Sequence, residues 1–311
     1  MDNRPPLVII VGPTAVGKTE LSIQLAKRIN GEIVSADSRL FYRGMDIGTA
    51  KPTLVERAGV PHHLIDIADP DETISLAIFQ QLARQAIAEI QHRGHLPLLV
   101  GGTGQYIRAV VEGWSPPAVQ PEARLRLVLE KMAAERGHQW LHDRLRSLDV
   151  QAAEKIDPRN VRRTIRALEV ILLTGQPFST QRQQGESPYN ALTVGLSRPR
   201  PELYARVDAR IEAMFASGLL EEVRSLLAKG YSPDLPAMSA IGYREAVRVV
   251  NGQMSVEQAK VEMRRATRVF IRRQANWFRP SDPGIHWFQA GDPDVVEKME
   301  QVIRAWLADH D

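Results

Sequence analysis

The 311-residue chain contains no cysteine. That excludes disulfides, thiolate metal sites and a cysteine nucleophile, and it suits a reducing cytoplasm. Long apolar runs are missing as well. None approaches the ~20 residues needed to span a bilayer, so no membrane association is expected. The opening Met1-Asp2-Asn3-Arg4-Pro5-Pro6 leads straight into the first apolar stretch, and no signal peptide is expected. Internal repeats and low-complexity tracts are absent, and so is the H-E-x-x-H spacing of a zinc hydrolase. His62 and His63 are adjacent, and adjacent strand residues point to opposite faces. His138 and His142 lack the intervening glutamate and read as surface residues. Net charge is only +3, yet arginine outnumbers lysine and is clustered, which matters more for nucleic-acid binding than the total.

What is present begins with residues 7–19. The apolar, β-branched run 7–11 reads as a buried parallel strand. Gly12-Pro13-Thr14-Ala15-Val16-Gly17-Lys18-Thr19 then matches G-x-x-x-x-G-K-[ST], the phosphate-binding P-loop. Leu21, Leu25 and Ile29 repeat every four residues and predict the helix that must follow. The glycines let backbone N–H groups curl around an anion, and the helix N-terminus adds partial positive charge. Lys18 places an ammonium on the terminal phosphate, and the Thr19 hydroxyl is a ligand for Mg²⁺. The loop specifies a di- or triphosphate but neither its identity nor its fate, so a nucleotide such as ATP stays open at this point.

A second strand, 32–35, runs into Asp37. A carboxylate just past a parallel strand lies where open α/β sheets place their active sites, so Asp37 is a candidate base or Mg²⁺ ligand, or else a cap for the next turn. Residues 43–61 read as a long loop over the site, with Lys51 either reaching a phosphate or exposed. A third strand is expected over 62–67, with Asp66 a possible Mg²⁺ ligand. A helix follows, marked by Ile74, Ile78, Leu82, Ala86 and Ile90, and then a strand over 96–100 ending in Gly101-Gly102-Thr103-Gly104. That strand lacks the terminal aspartate of a hydrolytic ATPase.

Beyond Pro116-Pro117 the texture becomes helical. Three amphipathic helices are expected up to Pro177, then a polar linker at 181–188, giving an all-α insertion. The third helix carries Arg159, Arg162, Arg163 and Arg166 at i, i+3, i+4, i+7, a stripe of one sign that favours phosphate contact over a solvated face. Arg206 and Arg210, one turn apart, are spaced to clamp a diphosphate or to pair with Asp208 or Glu212. A helix over 256–278 carries Arg264, Arg265, Arg268, Arg272, Arg273 and, just beyond it, Arg279, with Phe270, Trp277 and Phe278 between. This is the composition of an RNA-binding surface, although a core of aromatics under solvated arginines gives the same periodicity. The fold expected is α/β: a P-loop NTPase-like parallel sheet flanked by helices. Core segments 1–116 and 189–311 enclose the insertion at 117–188.

These residues resemble a known family, the tRNA dimethylallyltransferases (tRNA isopentenyltransferases). The resemblance is carried by G-P-T-A-V-G-K-T from Gly12, S-A-D-S-R-L-F-Y-R-G-M-D-I-G-T-A-K-P from Ser35, P-H-H-L-I-D-I from Pro61 and L-L-V-G-G-T-G-Q-Y from Leu98. R-A-L-E-V from Arg166 and I-G-Y-R-E from Ile241 extend it through the second half. The stretch from Asp37 to Pro52 is far more specific than the P-loop. With no cysteine, the chain lacks the C-terminal zinc finger of some members, which points to the bacterial type.

The resemblance implies an enzyme that spends no nucleotide. A dimethylallyl group passes from dimethylallyl diphosphate to the exocyclic amine of the adenosine 3′ to the anticodon. Asp37 matches the family's general base, Thr103 the threonine that orients the diphosphate or the base, and Arg206 the pyrophosphate-contacting arginine, with Arg210 close by. Asp37, Ser38, Arg39 and Leu40 would touch the flipped base, with Thr103. Arg124, Arg162, Arg163, Thr164, Ile165 and Arg166 would hold the anticodon stem-loop, together with Ser239, Ala240, Ile241, Gly242, Tyr243, Arg244, Arg273, Gln274, Trp277 and Arg279. A cytoplasmic monomer using Mg²⁺ is expected. The competing readings are a P-loop small-molecule kinase, which has no need of the basic-aromatic helix, and an RNA-binding ATP switch that transfers nothing.

Overall fold

The computed structural model describes residues 4–115, 117, 119, 121–181 and 183–309. The expected domain change at Pro116 falls outside them. Two compact units are present: one of residues 1–74, 79–111 and 188–311, the other of 75–78 and 112–187.

The strands are β1 (Pro6–Val11), β2 (Gly31–Ser35), β3 (His62–His63), β4 (Leu96–Gly101), β5 (Trp114–Ser115), β6 (Gln183–Gln184), β7 (Asn190–Ser197) and β8 (Ile285–Gln289). The first unit is built on a six-stranded sheet in the order β3-β2-β4-β1-β7-β8, every pairing parallel. β1 lies inside it, with Val8 opposite Leu98 on one side and Leu192 on the other. Leu7 to Val11 are at most 2% exposed, which is why they read as an unbroken apolar run rather than an alternating one. Since all six strands point the same way, the chain leaves β1, β2 and β4 at one edge of the sheet.

Helices Lys18–Arg28, Leu76–His92, Gly104–Val111, Arg200–Ala216, Leu219–Ala228, Tyr243–Val250, Val256–Gln274 and Val295–Ala308 complete the helical layers, Leu76–His92 starting in residues of the second unit. The first helix ends through Asn30 in a left-handed conformation (φ 51°), and Gly31 is already the first residue of β2.

The expected third strand is cut to two residues. Leu64 (φ 61°) and Asp66 (φ 56°) take left-handed conformations that extended pairing does not allow. The Asp66 carboxylate is occupied by the Lys51 ammonium at 2.5 Å, which removes it as a free Mg²⁺ ligand. Lys51 is buried, not exposed. Its Nζ also donates to Asp46 Oδ1 (2.6 Å) and to the Tyr42 carbonyl (2.8 Å).

The second unit holds helices Ala123–Arg136, His138–Leu148, Val150–Lys155, Val161–Thr174 and Phe178–Gln181, more than the three expected, and the antiparallel pair β5–β6. Its core gathers Leu129, Leu141, Leu145, Ile165 and Leu168. His142 belongs to this core and not to the surface. It is 1% exposed, with Nε2 at 3.0 and 2.8 Å from the Ala153 and Ile156 carbonyl oxygens.

Candidate active site

Three strand ends build the site. β1 delivers the P-loop, β2 delivers Asp37, and β4 delivers the turn 101–104 that carries Thr103. Lys18 folds back over the loop, its Nζ donating to the Gly12 and Pro13 carbonyls at 2.9 Å each. Burial draws its pKa down to about 8; the Asp37 carboxylate pulls it up, and the Arg210 guanidinium adds to the fall. Asp37 closes its own turn, with Oδ1 accepting the Arg39 N–H at 3.0 Å. Its expected alternative as a helix cap is thus met in part: the carboxylate shapes the loop it sits in.

Lys18, Thr19, Ser35 and Asp37 share one pocket, walled by apolar Ile33, Leu40, Pro52, Ile65 and Val100, with His62 beside them. His63 turns the other way, Nε2 at 2.6 Å from the Glu32 carboxylate. The pocket therefore has an ammonium and a hydroxyl, a carboxylate and an apolar flank. Its hard oxygen donors, the Thr19 hydroxyl and the Asp37 carboxylate, suit Mg²⁺, which takes few protein ligands and completes its shell with phosphate and water. Among the described residues no three His, Cys, Asp or Glu side chains form a self-sufficient metal cage.

Arg206 and Arg210 both reach this region, from the helix Arg200–Ala216. Arg206 donates from Nε to the Ala15 carbonyl at 2.8 Å. Arg210 donates to the Thr49 carbonyl at 2.9 Å, and its buried Nε has no partner. Neither makes an ion pair among the described residues, although the Asp37 carboxylate favours the charged form of Arg210. Asp208 and Glu212 are taken by other cations: Asp208 by Arg264 and Arg268, Glu212 by Lys260 and Arg264. Two guanidiniums are thus left for an anion.

The loop after Asp37 is locked by a residue that the sequence did not single out. Glu222 Oε2 accepts the Asp46 and Ile47 N–H groups at 3.0 and 2.8 Å, and Oε1 accepts the Gly48 N–H at 3.3 Å and the Tyr243 hydroxyl at 2.5 Å. Tyr243 is fully buried, and a Cβ on Gly48 would stand 2.4 Å from its ring. This explains the glycine in the M-D-I-G-T stretch and corrects the expectation that Tyr243 faces RNA. Glu222 lies at the edge of the apolar face of the helix Leu219–Ala228, three residues after buried Leu219 and four before buried Leu226, and a carboxylate at that phase is the signal that could have marked it.

Other expected RNA contacts divide by burial. In the first unit Ser239, Arg244, Arg273 and Arg279 are exposed and Ser38, Arg39, Leu40, Thr103 and Ile241 partly so, whereas Ala240, Gly242 and Gln274 are buried. Trp277 is half-buried with the Arg108 guanidinium 5.4 Å from its ring centre. Phe278 is in the core, while Phe270 is 40% exposed. In the second unit Arg124, Arg162 and Arg163 are exposed, but Thr164 and Ile165 lie in the core and their side chains are unavailable to RNA. The expected arginine stripe is broken too. Arg159 forks onto Asp157 (3.0 and 2.7 Å). Arg166 joins Arg126 on the fully buried Glu169, at 2.5 Å, and donates to the Val119 carbonyl at 2.7 Å. Burial alone would raise the Glu169 pKa, but the two guanidiniums and the Glu122 N–H outweigh it and hold it below the usual range.

Comparison with known proteins adds to this geometry. The IPP transferase family profile matches residues 40–281. A tRNA dimethylallyltransferase of Roseiflexus sp. (strain RS-1) is 54% identical over 302 residues, 97% of this chain and 99% of the relative. That of Chloroflexus aggregans is 56% identical over 273 residues, 88% of this chain and 92% of the relative. Among solved structures, the full-length tRNA isopentenylpyrophosphate transferase of Bacillus halodurans is similar at a TM-score of 0.74 and 43% identity, covering 98% of each chain. A eukaryotic dimethylallyltransferase, solved acting on tRNA, is similar at a TM-score of 0.83 and 26% identity over 98% of this chain and 80% of that one.

Proposed function

The chain belongs to the IPP transferase family, and on that premise we propose that it is a tRNA dimethylallyltransferase. The donor is dimethylallyl diphosphate, and the acceptor is the exocyclic amine of the adenosine 3′ to the anticodon. The observation that carries this reading is the pocket in which Lys18 and Thr19 meet Asp37 beside an apolar wall of Ile33, Leu40, Pro52, Ile65 and Val100. In the reaction the allylic carbon–oxygen bond breaks, its electron pair leaves with pyrophosphate, and the carbon–nitrogen bond forms. The amine proton passes to the Asp37 carboxylate. Lys18, Arg206 and Arg210 stabilise the charge that develops on the departing diphosphate. The Thr19 hydroxyl would hold Mg²⁺, which would supply further positive charge against the diphosphate. The cysteine-free composition suits cytoplasmic work, and we take the enzyme to act as a monomer.

A transfer assay tests the proposal: labelled dimethylallyl diphosphate, Mg²⁺ and unmodified tRNA reading codons that begin with U, beside a tube with γ-labelled ATP and small acceptors. Label on tRNA, lost when the target adenosine is replaced by guanosine, is expected. Label moving only from ATP to a small acceptor would install the kinase reading instead.

Two further outcomes follow from the site. kcat/KM for the diphosphate reports ionisations of the free enzyme. Because burial draws the free Lys18 ammonium down to about 8 and the incoming anion favours its protonated form, kcat/KM should fall as pH rises through that value. A profile flat to about pH 10, close to the ordinary lysine value, would mean that burial does not depress the Lys18 ammonium in the free enzyme. The pair Arg162→Glu and Arg163→Glu should weaken tRNA binding and flatten its dependence on salt by about one to two counterions. Unchanged affinity at low salt would return those arginines to the solvated surface. Arg166 is unsuitable for this test, since its loss strips a partner from buried Glu169.

A further inference from the structure

The helix Val256–Gln274 ends on a side chain that turns inward. Gln274 is 6% exposed. Its Oε1 accepts the Thr14 N–H of the P-loop at 2.8 Å, and its Nε2 donates to the Gly102 carbonyl at 3.2 Å, in the turn that carries Thr103. The two bonds dictate the orientation of the amide: turned over, it would set a nitrogen against an N–H and an oxygen against a carbonyl. The fit is close. A Cβ on Gly102 would lie 2.3 Å from Nε2 and 3.2 Å from the Gly12 carbonyl oxygen. One buried amide therefore joins the two glycine-rich turns of the site, while its neighbour Arg273 is exposed.

We propose that Gln274 is a positioning residue that holds the phosphate cradle and the Thr103 turn in one register. It takes over the Thr14 N–H from outside the loop, so that group is fixed rather than left to the anion. Neighbouring chemistry does not substitute. Glutamate offers no donor to the Gly102 carbonyl and sets negative charge against it, and methionine fills a similar length with neither group. The kinetic part of the proposal rests on the prenyl-transfer reading; the binding part does not.

The test compares Gln274→Met and Gln274→Glu with the intact protein. Inorganic pyrophosphate with Mg²⁺ is titrated, tRNA affinity is measured without diphosphate, and steady-state constants are taken for both substrates. Pyrophosphate affinity should fall about tenfold and kcat about 10- to 100-fold, with KM for the diphosphate raised. The tRNA affinity and its KM should stay within about twofold, a split that general loss of structure would not give. Gly102→Ala should mimic this loss by driving the amide aside, and when added to Gln274→Ala it should cost only what its Cβ meets at the Gly12 carbonyl, less than it costs alone. Unchanged pyrophosphate affinity and kcat in Gln274→Met would overturn the proposal. So would additive costs in that pair, or a loss of tRNA affinity as large as that of pyrophosphate, which would make Gln274 an RNA contact. Should Gln274→Met fail to fold, Gln274→Glu, which keeps the acceptor for Thr14, decides alone. If the intact protein transfers no prenyl group while the variants still lose pyrophosphate, the positioning role stands and the functional reading falls.

Discussion

Asp37→Asn is expected to lower the turnover number about 10²- to 10⁴-fold, the range a positioned general base contributes. The tRNA affinity should remain within a few-fold. Asparagine is the informative replacement because it keeps an Oδ1 to accept the Arg39 N–H, the 3.0 Å bond that shapes the turn after β2. What it removes is the ability to take a proton. An adenine exocyclic amine is a poor nucleophile, its lone pair being delocalised into the ring, so the proton must leave as the carbon–nitrogen bond forms. Asp37 is the carboxylate that shares the pocket with Lys18 and Thr19. Single-turnover rates with saturating tRNA and diphosphate measure this step directly, and a rate within about threefold of the unaltered enzyme would remove Asp37 as the base. A parallel loss of tRNA affinity would instead mean that the asparagine amide no longer holds the 37–40 turn.

Residues whose roles are set by backbone direction were readable in the sequence. The P-loop needs a strand, a tight turn and a helix in order, and 7–11, Gly12 to Thr19 and Leu21 to Ile29 supply all three periodicities. Asp37 was readable because it follows a strand end. Roles decided by partners distant along the chain were not. Lys51 looked like a surface lysine until Asp46 and Asp66 enclosed it, and Asp66 could reach it only through a left-handed backbone that residue preference does not announce. Arg264 and Arg268 share the composition of an RNA-binding face, but the carboxylates of Asp208 and Glu212, on another helix, hold both. Arg166 is a different case: its partner Glu169 is only three residues on and interrupts the one-sign stripe in the sequence itself, whereas the second guanidinium on Glu169, that of Arg126, comes from another helix. Helical periodicity places Gln274 on a face, and only the packing tells that this face meets Thr14 and Gly102.

Lys18→Met is expected to weaken binding of dimethylallyl diphosphate and pyrophosphate about 10²- to 10³-fold, the cost of losing one strong donor in a water-poor anion site. The reason is electrostatic. Burial draws the Lys18 pKa down to about 8, and although the side chain is only partly covered its charge is screened less than in bulk water. Its Nζ donates to the Gly12 and Pro13 carbonyls, weaker acceptors than a diphosphate oxygen, so exchange for the diphosphate is favourable. The arginines are expected to rank behind it. Arg210 carries a buried Nε with no partner, whereas the Nε of the more exposed Arg206 is already bonded to Ala15, so Arg210→Met should cost more than Arg206→Met. Calorimetric titration of pyrophosphate with Mg²⁺ into the three variants sets the order. Lys18→Met binding within about threefold of the unaltered protein would mean that the backbone N–H groups of residues 15–19 carry the anion without the ammonium. The reverse arginine order would give the clamp to Arg206 and leave Arg210 to hold Thr49. Since none of the three substitutions touches Arg162, Arg163 or Arg273, tRNA affinity without diphosphate should be the same in all, which separates loss of the cradle from loss of the RNA surface.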